Sequence, residues 1–452
     1  MATAAQRFAG FALELDLRDV PNEVVEAAKL HVLDVLGCGL AAHGLGVATE
    51  GRSTMVELGG EQEAAVIGLD AGLPAANAAF ANAMLCHGLD FDDTHSDSVS
   101  HVSTVVVPAA LAIAEARGAG GRELLTAIVG GNEIVTRIGM ATPGAFHKRG
   151  FHPTAVCGIF GATAAAARLG GLAEEQATSA LGIAGSMASG LFAYLDDATA
   201  TKPIHPAWAA HGGLLAARLA SFGAEGPPGV LEGRFGVFHA FVDTRIDLEP
   251  QLRDLGERWE TPRMAFKPYP ACHFIHGSLG ATGSLGSIEP DEIEDILVTV
   301  PEAGVSLVLE PADAKVAPRT EYEAKFSLQY STAAMLVHGR VGLVSYTADA
   351  LADRQVLELA RKVRYETKEY ASYPAAFPGG VRIRLRDGRT LDADLPHQLG
   401  APENPMSADQ VRDKFRENAE LAGGGFDALE EAILTLEDVE DVHGLLAQRV
   451  AV

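Results

Sequence analysis

Apolar residues recur at helical spacing through most of the first 265 residues. The segment "PNEVVEAAKLHVLDVLGCGLAAHG" begins with a proline suited to a first helical turn and ends with a glycine, so it predicts a helix. "PAWAAHGGLLAARLASFG" has the same marks, and "AEEQATSALGIAGSMASGLFAYL" predicts helices whose small side chains let backbones approach closely. Because no strand-like alternation interrupts this part, it is predicted to be a helical bundle.

The pattern changes near residue 262. "DEIEDILVTVP" ends in a strand-like run, and "YEAKFSLQYSTAAMLVHGR" predicts an amphipathic helix. "GGVRIRLRDGRTLDADL" alternates apolar and polar residues around Asp387-Gly388, which indicates a β-hairpin. Helical spacing then returns, with Ser407 and Gln410 at the spacing of a capping box.

The fold class predicted from these patterns is mainly α. Residues 1–265 form a large all-helical domain, and the C-terminal helices of residues 398–452 complete it. A smaller α+β domain, residues 266–397, is inserted between them.

The composition and net charge of the chain argue against some classes of function. Hydrophobic residues make up 48% of the chain and charged residues 21%, as in a compact globular protein. The formal net charge of −25 argues against binding nucleic acid or anionic membranes. The four cysteines are widely spaced, and the sequence shows no signal peptide pattern. The apolar stretches are interrupted before about 18 residues, the length that a membrane span needs. Together these features predict a cytoplasmic protein.

The most polar stretch between apolar runs is "DFDDTHSDSVSH", residues 90–101. If the preceding helix continues through residue 94, Asp90 and Thr94 lie on one face, and the loop delivers His101 beside them. Asp92 would then point the other way, where it could cap or bind a neighbouring segment. This arrangement predicts an acid/base site.

Two other readings of this stretch stay open. Asp92, Asp93 and Asp97 approximate a magnesium–diphosphate motif, for which "LEDVEDVH" near the C-terminus is the best second half. Alternatively, the stretch is a solvated loop whose aspartates and serines cap helices.

Two lysines lie in loops stiffened by proline. Lys202, in "DDATATKPIHPAW", directly precedes a predicted helix, where it could meet an anion with the help of backbone N–H groups. Lys267, in "FKPYPACHFIH", lies where the pattern changes, and His273 follows as a helix starts. His152 lies in the loop "FHKRGFHPTA". Each lysine alone also fits an ordinary surface position.

No dinucleotide fingerprint, P-loop or G-x-S-x-G elbow is present. With two cations, two imidazoles and the hydrogen-bonding groups of Asp90 and Thr94, the sequence predicts acid/base chemistry on a small polycarboxylate. No cofactor and no metal are expected.

Four motifs, in order along nearly the whole chain, resemble the MmgE/PrpD superfamily of 2-methylcitrate dehydratases, cis-aconitate decarboxylases and iminodisuccinate epimerases. They are "HGLDFDDTH", "GFHPTAVCGIFGATAAAARL", "TKPIHPAWAAHGGLLAARLASFGAEGPPGVLEG" and "KPYPACHFIH". The resemblance implies a helical domain built from both chain ends, a smaller α+β lid, and a homodimer. The implied partner is a di- or tricarboxylate substrate, with no nucleic acid and no membrane.

The resemblance also implies roles for residues. His101 transfers the proton, Asp90 orients and polarises His101 or itself exchanges protons with the substrate, and His152 is the second acid. The implied substrate-binding residues are Lys202, Lys267, Thr94 and His273. Some family members have a histidine near the position of Cys272, and His273 is the residue that could substitute for it.

Dehydration, epimerisation and decarboxylation can all use this set of residues. A hydro-lyase of the 2-methylcitrate dehydratase type is expected because it is the commonest assignment in the family. An epimerase and a decarboxylase are the alternatives, and a non-catalytic polycarboxylate-binding protein is the alternative of another class.

Overall fold

The structure, a computed structural model, describes residues 2–195, 199–373 and 375–447. The chain forms two compact units. The large unit comprises Met1–Phe266 and Ser407–Val452, and the small unit comprises Lys267–Met406.

Helices are the predominant elements among the described residues. In chain order they are α1 (Ala4–Glu14), α2 (Asn22–Gly44), α3 (Glu50–Leu58), α4 (Ala75–His87), α5 (Ser103–Arg117), α6 (Gly121–Met140), α7 (Ala145–Lys148), α8 (Pro153–Leu169), α9 (Glu174–Met187), α10 (Ile204–Ser221), α11 (Val237–Val242), α12 (Glu249–Leu252), α13 (His273–Ser284), α14 (Glu302–Val308), α15 (Ala312–Val316), α16 (Glu321–Lys325), α17 (Leu328–His338), α18 (Ala348–Leu351), α19 (Arg354–Ala360), α20 (Ala408–Leu421) and α21 (Asp427–Leu434). The strands are β1 (Ile293–Val300), β2 (Val363–Thr367), β3 (Gly379–Leu385) and β4 (Thr390–Leu395).

The large unit is a helical bundle whose helices pack closely through glycine. A Cβ on Gly213 of α10 would lie 2.6 Å from the Cβ of Ala162 on α8. A Cβ on Gly161 of α8 would lie 2.6 Å from the carbonyl oxygen of Gly131 on α6. Both distances are too short for real atoms, so only glycine permits these approaches.

Local signals mark several helix ends. Pro153 opens α8, where its missing N–H costs nothing because the first turn has no internal acceptor. The predicted capping box of α20 is confirmed, since the Ser407 side chain accepts from the backbone N–H of Gln410 and the Gln410 side chain accepts in return.

The small unit carries a four-stranded sheet in the order β2-β1-β3-β4. Strand β1 runs parallel to β2 and antiparallel to β3, with Val298 opposite Val381. The predicted hairpin is β3–β4, with Gly388 in its turn at a φ of 90°. Helices α13 and α17 contribute to the same apolar core as the strands.

Two expectations for the small unit need correction. The predicted single helix "YEAKFSLQYSTAAMLVHGR" is two helices, α16 and α17, because the Ser327 side chain accepts from the N–H of Tyr330 and starts a new helix. Strand β2 was not predicted. The mainly α fold class is confirmed, with one small sheet among the described residues.

None of the helices in the described residues combines the length and the apolar character that a membrane span requires.

Candidate active site

The candidate site is built around the aspartate loop, residues 88–102, which joins α4 to α5. Helix α4 ends at His87 with Gly88 as its C-cap, so the helix does not continue through residue 94. Asp90 has a φ of 52°, a left-handed conformation that aspartate tolerates better than most residues. Such strained backbone is concentrated at functional sites.

Asp92 holds two histidines. Its Oδ2 lies 2.8 Å from Nδ1 of His87 and 3.2 Å from Nδ1 of His101, and the side chain is fully buried. Burial alone would raise the pKa of Asp92, but the two imidazoles outweigh it and hold the pKa well below its usual value. The charge of this carboxylate favours a proton on the Nδ1 atom that faces it in each ring, and for neutral His101 this tautomer leaves Nε2 as the acceptor.

Asp93 and Asp97 do not join Asp92 in a metal site. Asp93 Oδ2 is 2.8 Å from Nδ1 of His31, and Asp97 lies 3.5 Å from Arg263 at the surface. These separate pairings remove the arrangement that the magnesium–diphosphate reading needs.

Lys414 of α20 supports the aspartate loop from the other end of the chain. Its Nζ donates to the carbonyl oxygen of Phe91 at 2.8 Å and lies 2.7 Å from Oδ1 of Asp34. Burial would lower the pKa of Lys414, but the nearby acidic groups outweigh it, and the pKa lies above its usual value. The conformation of the loop therefore depends on a helix more than 300 residues away in sequence.

Lys202 lies just before α10 and reaches Asp90. Its Nζ donates to Oδ1 of Asp90 at 2.8 Å, and the same oxygen is 3.7 Å from Nε2 of His101. Burial would lower the pKa of Lys202, but the charge of Asp90 outweighs it and the pKa lies above its usual value. A permanent ammonium therefore stands beside the imidazole.

Burial lowers the pKa of His101 to about 4, opposed by the charge of Asp92 and helped by that of Lys202. The His101 imidazole is therefore neutral near pH 7. A polycarboxylate binding beside it would raise this pKa, because negative charge favours the imidazolium form.

His152, immediately before α8, completes the cluster. Its ring centroid is 6.1 Å from that of His101, and its Nδ1 is 3.1 Å from Nδ1 of His205 on α10. Burial, with Lys202 as the next contributor, holds the pKa of His152 well below its usual value. The neighbouring Thr154 fixes the loop to α8 by accepting the backbone N–H of His101 at 2.9 Å.

Thr94 lies in the same loop. Its backbone forms a two-way bridge with Ala265, at 2.9 Å and 2.7 Å. The Thr94 Oγ1 atom is buried and has no hydrogen-bond partner among the described residues. A buried hydroxyl without a partner is a candidate for binding a ligand oxygen.

Lys267 and His273 belong to the small unit. Lys267 is only 3% exposed and directly precedes Pro268. His273 is the first residue of α13, and its ring stacks on Phe377 with centroids 4.8 Å apart. The structure thus brings together Asp90, His101, His152 and Lys202, while the participation of Lys267 and His273 stays a prediction.

Three residues with evident site contacts were not predicted to act there: His87, Asp92 as a partner of histidines, and His205. Asp92 lies between buried Phe91 and Asp93, and His205 follows Lys202 by one turn of the same segment. Both are weak signals, since neither spacing specifies a contact.

The three histidines His87, His101 and His152 offer ligand atoms within 4.8 Å of one another, a group that could hold a metal ion. The ammonium of Lys202 opposes a cation there, and Asp92 already engages a nitrogen on two of the three rings. Asp90, Asp92 and His101 form a second such group, in which Lys202 already contacts Asp90.

Known proteins are similar to this chain along most of its length. Residues 6–249 match the model of the MmgE/PrpD N-terminal domain, and residues 269–438 match that of the MmgE/PrpD C-terminal domain. The chain is 31% identical to a cis-aconitate decarboxylase of Mus musculus, with 98% of this chain and 92% of that protein covered. It is 30% identical to the cis-aconitate decarboxylase of Homo sapiens, over 98% and 93%, and 28% identical to that of Aspergillus terreus, over 96% and 94%.

Proposed function

Because the chain belongs to the MmgE/PrpD family, we propose that this enzyme is a carboxy-lyase that releases carbon dioxide from a small polycarboxylate of the cis-aconitate class. The observation that carries the proposal is the contact set around His101: Asp92 at Nδ1, with the Lys202–Asp90 pair at Nε2. These contacts place His101, a residue that can carry a proton, close to the ammonium of Lys202 in a mostly buried site. The relatives described above are named for decarboxylation and none for dehydration, so decarboxylation replaces the hydro-lyase expected from the sequence as the first candidate.

Lys202 is proposed to hold a carboxylate of the substrate that is not lost. Its charge is partly balanced by Asp90, so an incoming anion meets a weak local field unless further cations take part. Lys267 is proposed as the second cation. Fixed charges in a site with little water act more strongly than in solution, because no solvent has to reorganise.

His101 is proposed to supply the proton. The C–C bond to the departing carboxylate breaks, its electrons stay on carbon as carbon dioxide leaves, and the imidazolium Nε2–H then protonates that carbon. The substrate's negative charge stabilises the imidazolium, as does Asp92 at Nδ1. One proton from solvent restores His101 in each cycle.

The test is a substrate panel in deuterated water followed by NMR, with cis-aconitate, citrate, 2-methylcitrate and iminodisuccinate. We expect one carbon dioxide and one carbon-bound deuteron per molecule of product, with cis-aconitate or a close analogue. Elimination of water alone identifies a hydro-lyase, and deuterium exchange without loss of carbon identifies an epimerase. Binding without turnover of any acid identifies a binding protein. Each of these outcomes contradicts the proposal.

Two variants connect the activity to the site. Lys202→Met removes the ammonium beside Asp90, and we expect kcat/KM to fall by about 10²-fold. Lys148→Met, on exposed α7, is the matched control and keeps the wild-type rate.

A homodimer is also proposed. One face of α10 exposes Trp208, Leu215, Leu219 and Phe222, the last at 79%. Apolar side chains at this helical spacing fit a second helix better than water, and we propose a second copy of the chain as the occupant. Sedimentation should give a dimer for the wild type and a monomer for Leu215→Glu, and a monomeric wild type contradicts this assignment.

A further inference from the structure

We infer that His205 is a positioning residue that makes His152 a neutral hydrogen-bond donor to the substrate, rather than the second acid expected from the sequence. The inference rests on the proposed function, because it assigns His152 a task in that reaction. The contact that carries it is the 3.1 Å approach of the two Nδ1 atoms.

Two imidazoles that meet through Nδ1 share a single proton. Either His205 donates to His152, or His152 donates to His205. In the first case the one proton of neutral His152 is on Nε2, which can then donate to an oxygen of the substrate. In the second case Nε2 carries a lone pair, which repels a carboxylate.

Both rings are held in the neutral form. They are only 3% and 7% exposed, and burial lowers the pKa of His205 to about 4 and that of His152 well below its usual value. The charged and titratable groups that face the pair are Lys202 and His87, with His101 also facing His152. The ammonium of Lys202 opposes a second positive charge, so neither ring becomes an imidazolium near pH 7.

Two aromatic rings also lie near the pair. The ring of Phe192 lies 5.4 Å from His152, and that of Tyr194 lies 5.8 Å from His205, measured between centroids. Unlike His101, His152 has no carboxylate among its described contacts, and nothing there stabilises its charged form.

The two histidines therefore differ in chemistry. Asp92 favours the charged form of His101, which suits a proton carrier. His205 favours the neutral Nε2–H form of His152 once an anionic substrate selects it. A neutral imidazole that donates to developing negative charge is an established way to stabilise an enolate-like intermediate.

The test compares His205→Asn with His205→Asp, which are nearly the same size. The asparagine amide can donate to Nδ1 of His152 as His205 does, whereas the aspartate carboxylate can only accept. Aspartate therefore forces the proton of His152 onto Nδ1, or produces an imidazolium. The readout is the tautomer of His152, from long-range ¹H–¹⁵N spectra of histidine-labelled protein with a non-reacting tricarboxylate bound, followed by kcat and KM.

We expect the Nε2–H form in the wild type and in His205→Asn, and its loss in His205→Asp. The kcat of His205→Asp should fall about 10²–10³-fold, as when one donor to a developing oxyanion is removed. His205→Asn should stay within about tenfold of the wild type. If the aspartate variant does not fold, His205→Leu serves instead, and its spectra should show a mixture of both tautomers.

An Nδ1–H tautomer in the wild type overturns the inference, as does equal kcat in the asparagine and aspartate variants. If the wild type turns over no acid at all, the proposed function fails. The spectra still decide the role of His205 in that case, because they do not depend on turnover.

Discussion

Replacing Asp92 by asparagine tests whether a buried charge makes His101 a usable acid. The variant keeps the shape of the side chain and removes its negative charge. The carboxylate oxygen lies 3.2 Å from Nδ1 of His101, and the side chain is fully buried. Asparagine at this position should therefore leave the loop in place and change mainly the energy of the imidazolium.

The size of the effect follows from this distance. Two unit charges 3.2 Å apart interact by about 5 kcal/mol at an effective dielectric constant of 20. The imidazolium charge is shared between two nitrogens, so roughly 3–5 kcal/mol is lost. At 1.36 kcal/mol per tenfold, this corresponds to a fall in kcat of about 10²–10⁴. The range equals the usual contribution of a general acid.

The assay is carbon dioxide release at saturating substrate, with the folded fraction checked by thermal melting. Asp93→Asn is the matched control. Asp93 is the next residue, it is also fully buried, and it pairs with His31 at 2.8 Å. The Asp93→Asn variant should be less stable than the wild type, but its kcat should change much less than that of Asp92→Asn. A folded Asp92→Asn protein within threefold of the wild-type kcat refutes this reasoning, and so does an equal loss of kcat in both variants.

Three further predictions follow from the same contacts. Lys202→Met should lower kcat/KM by about 10²-fold, since an ammonium in a half-buried site is partly screened by water. Steady-state kinetics measure this ratio, and an unchanged kcat/KM contradicts the role of Lys202. The pKa of His101 is about 4 when folded and near 6.5 when unfolded, so the unfolded chain binds more protons between these values and stability falls as pH drops through them. Urea unfolding should show the wild type losing about 2 kcal/mol more than His101→Gln between pH 7.5 and pH 5, and equal losses would exclude a buried neutral imidazole. Lys414→Met should lower the free energy of unfolding by about 3–5 kcal/mol, because Asp34 is left buried and unpaired. The double variant Lys414→Met with Asp34→Asn should recover part of this free energy in urea unfolding. No recovery would show that the loss does not come from the unpaired Asp34.

Local sequence signals predicted those elements whose causes are local. The Asp387-Gly388 hairpin and the Ser407 capping box depend on a few adjacent residues, and both are present. Strand β2 was missed because it lies at the edge of the sheet, where only Val363 is buried and the alternation is faint.

Sequence motifs identified individual candidate residues of the site. They did not predict contacts between segments that are far apart in the sequence. Asp90, His101, His152 and Lys202 lie close together although α4 ends at His87, and their roles in a site stay predictions. Periodicity left open whether α4 continues through residue 94. The helix ends at His87, and the Thr94 backbone pairs with Ala265 instead.

The contact between Lys414 and the carbonyl of Phe91 has a consequence for protein synthesis. A chain emerging from the ribosome completes its aspartate loop long before residue 414 is translated, at about 5–20 residues per second. Until that lysine arrives, Asp34 is a carboxylate without its counter-charge and the loop lacks a donor to one carbonyl. A nascent or prematurely terminated chain therefore carries the motif residues without the lysine that supports their loop.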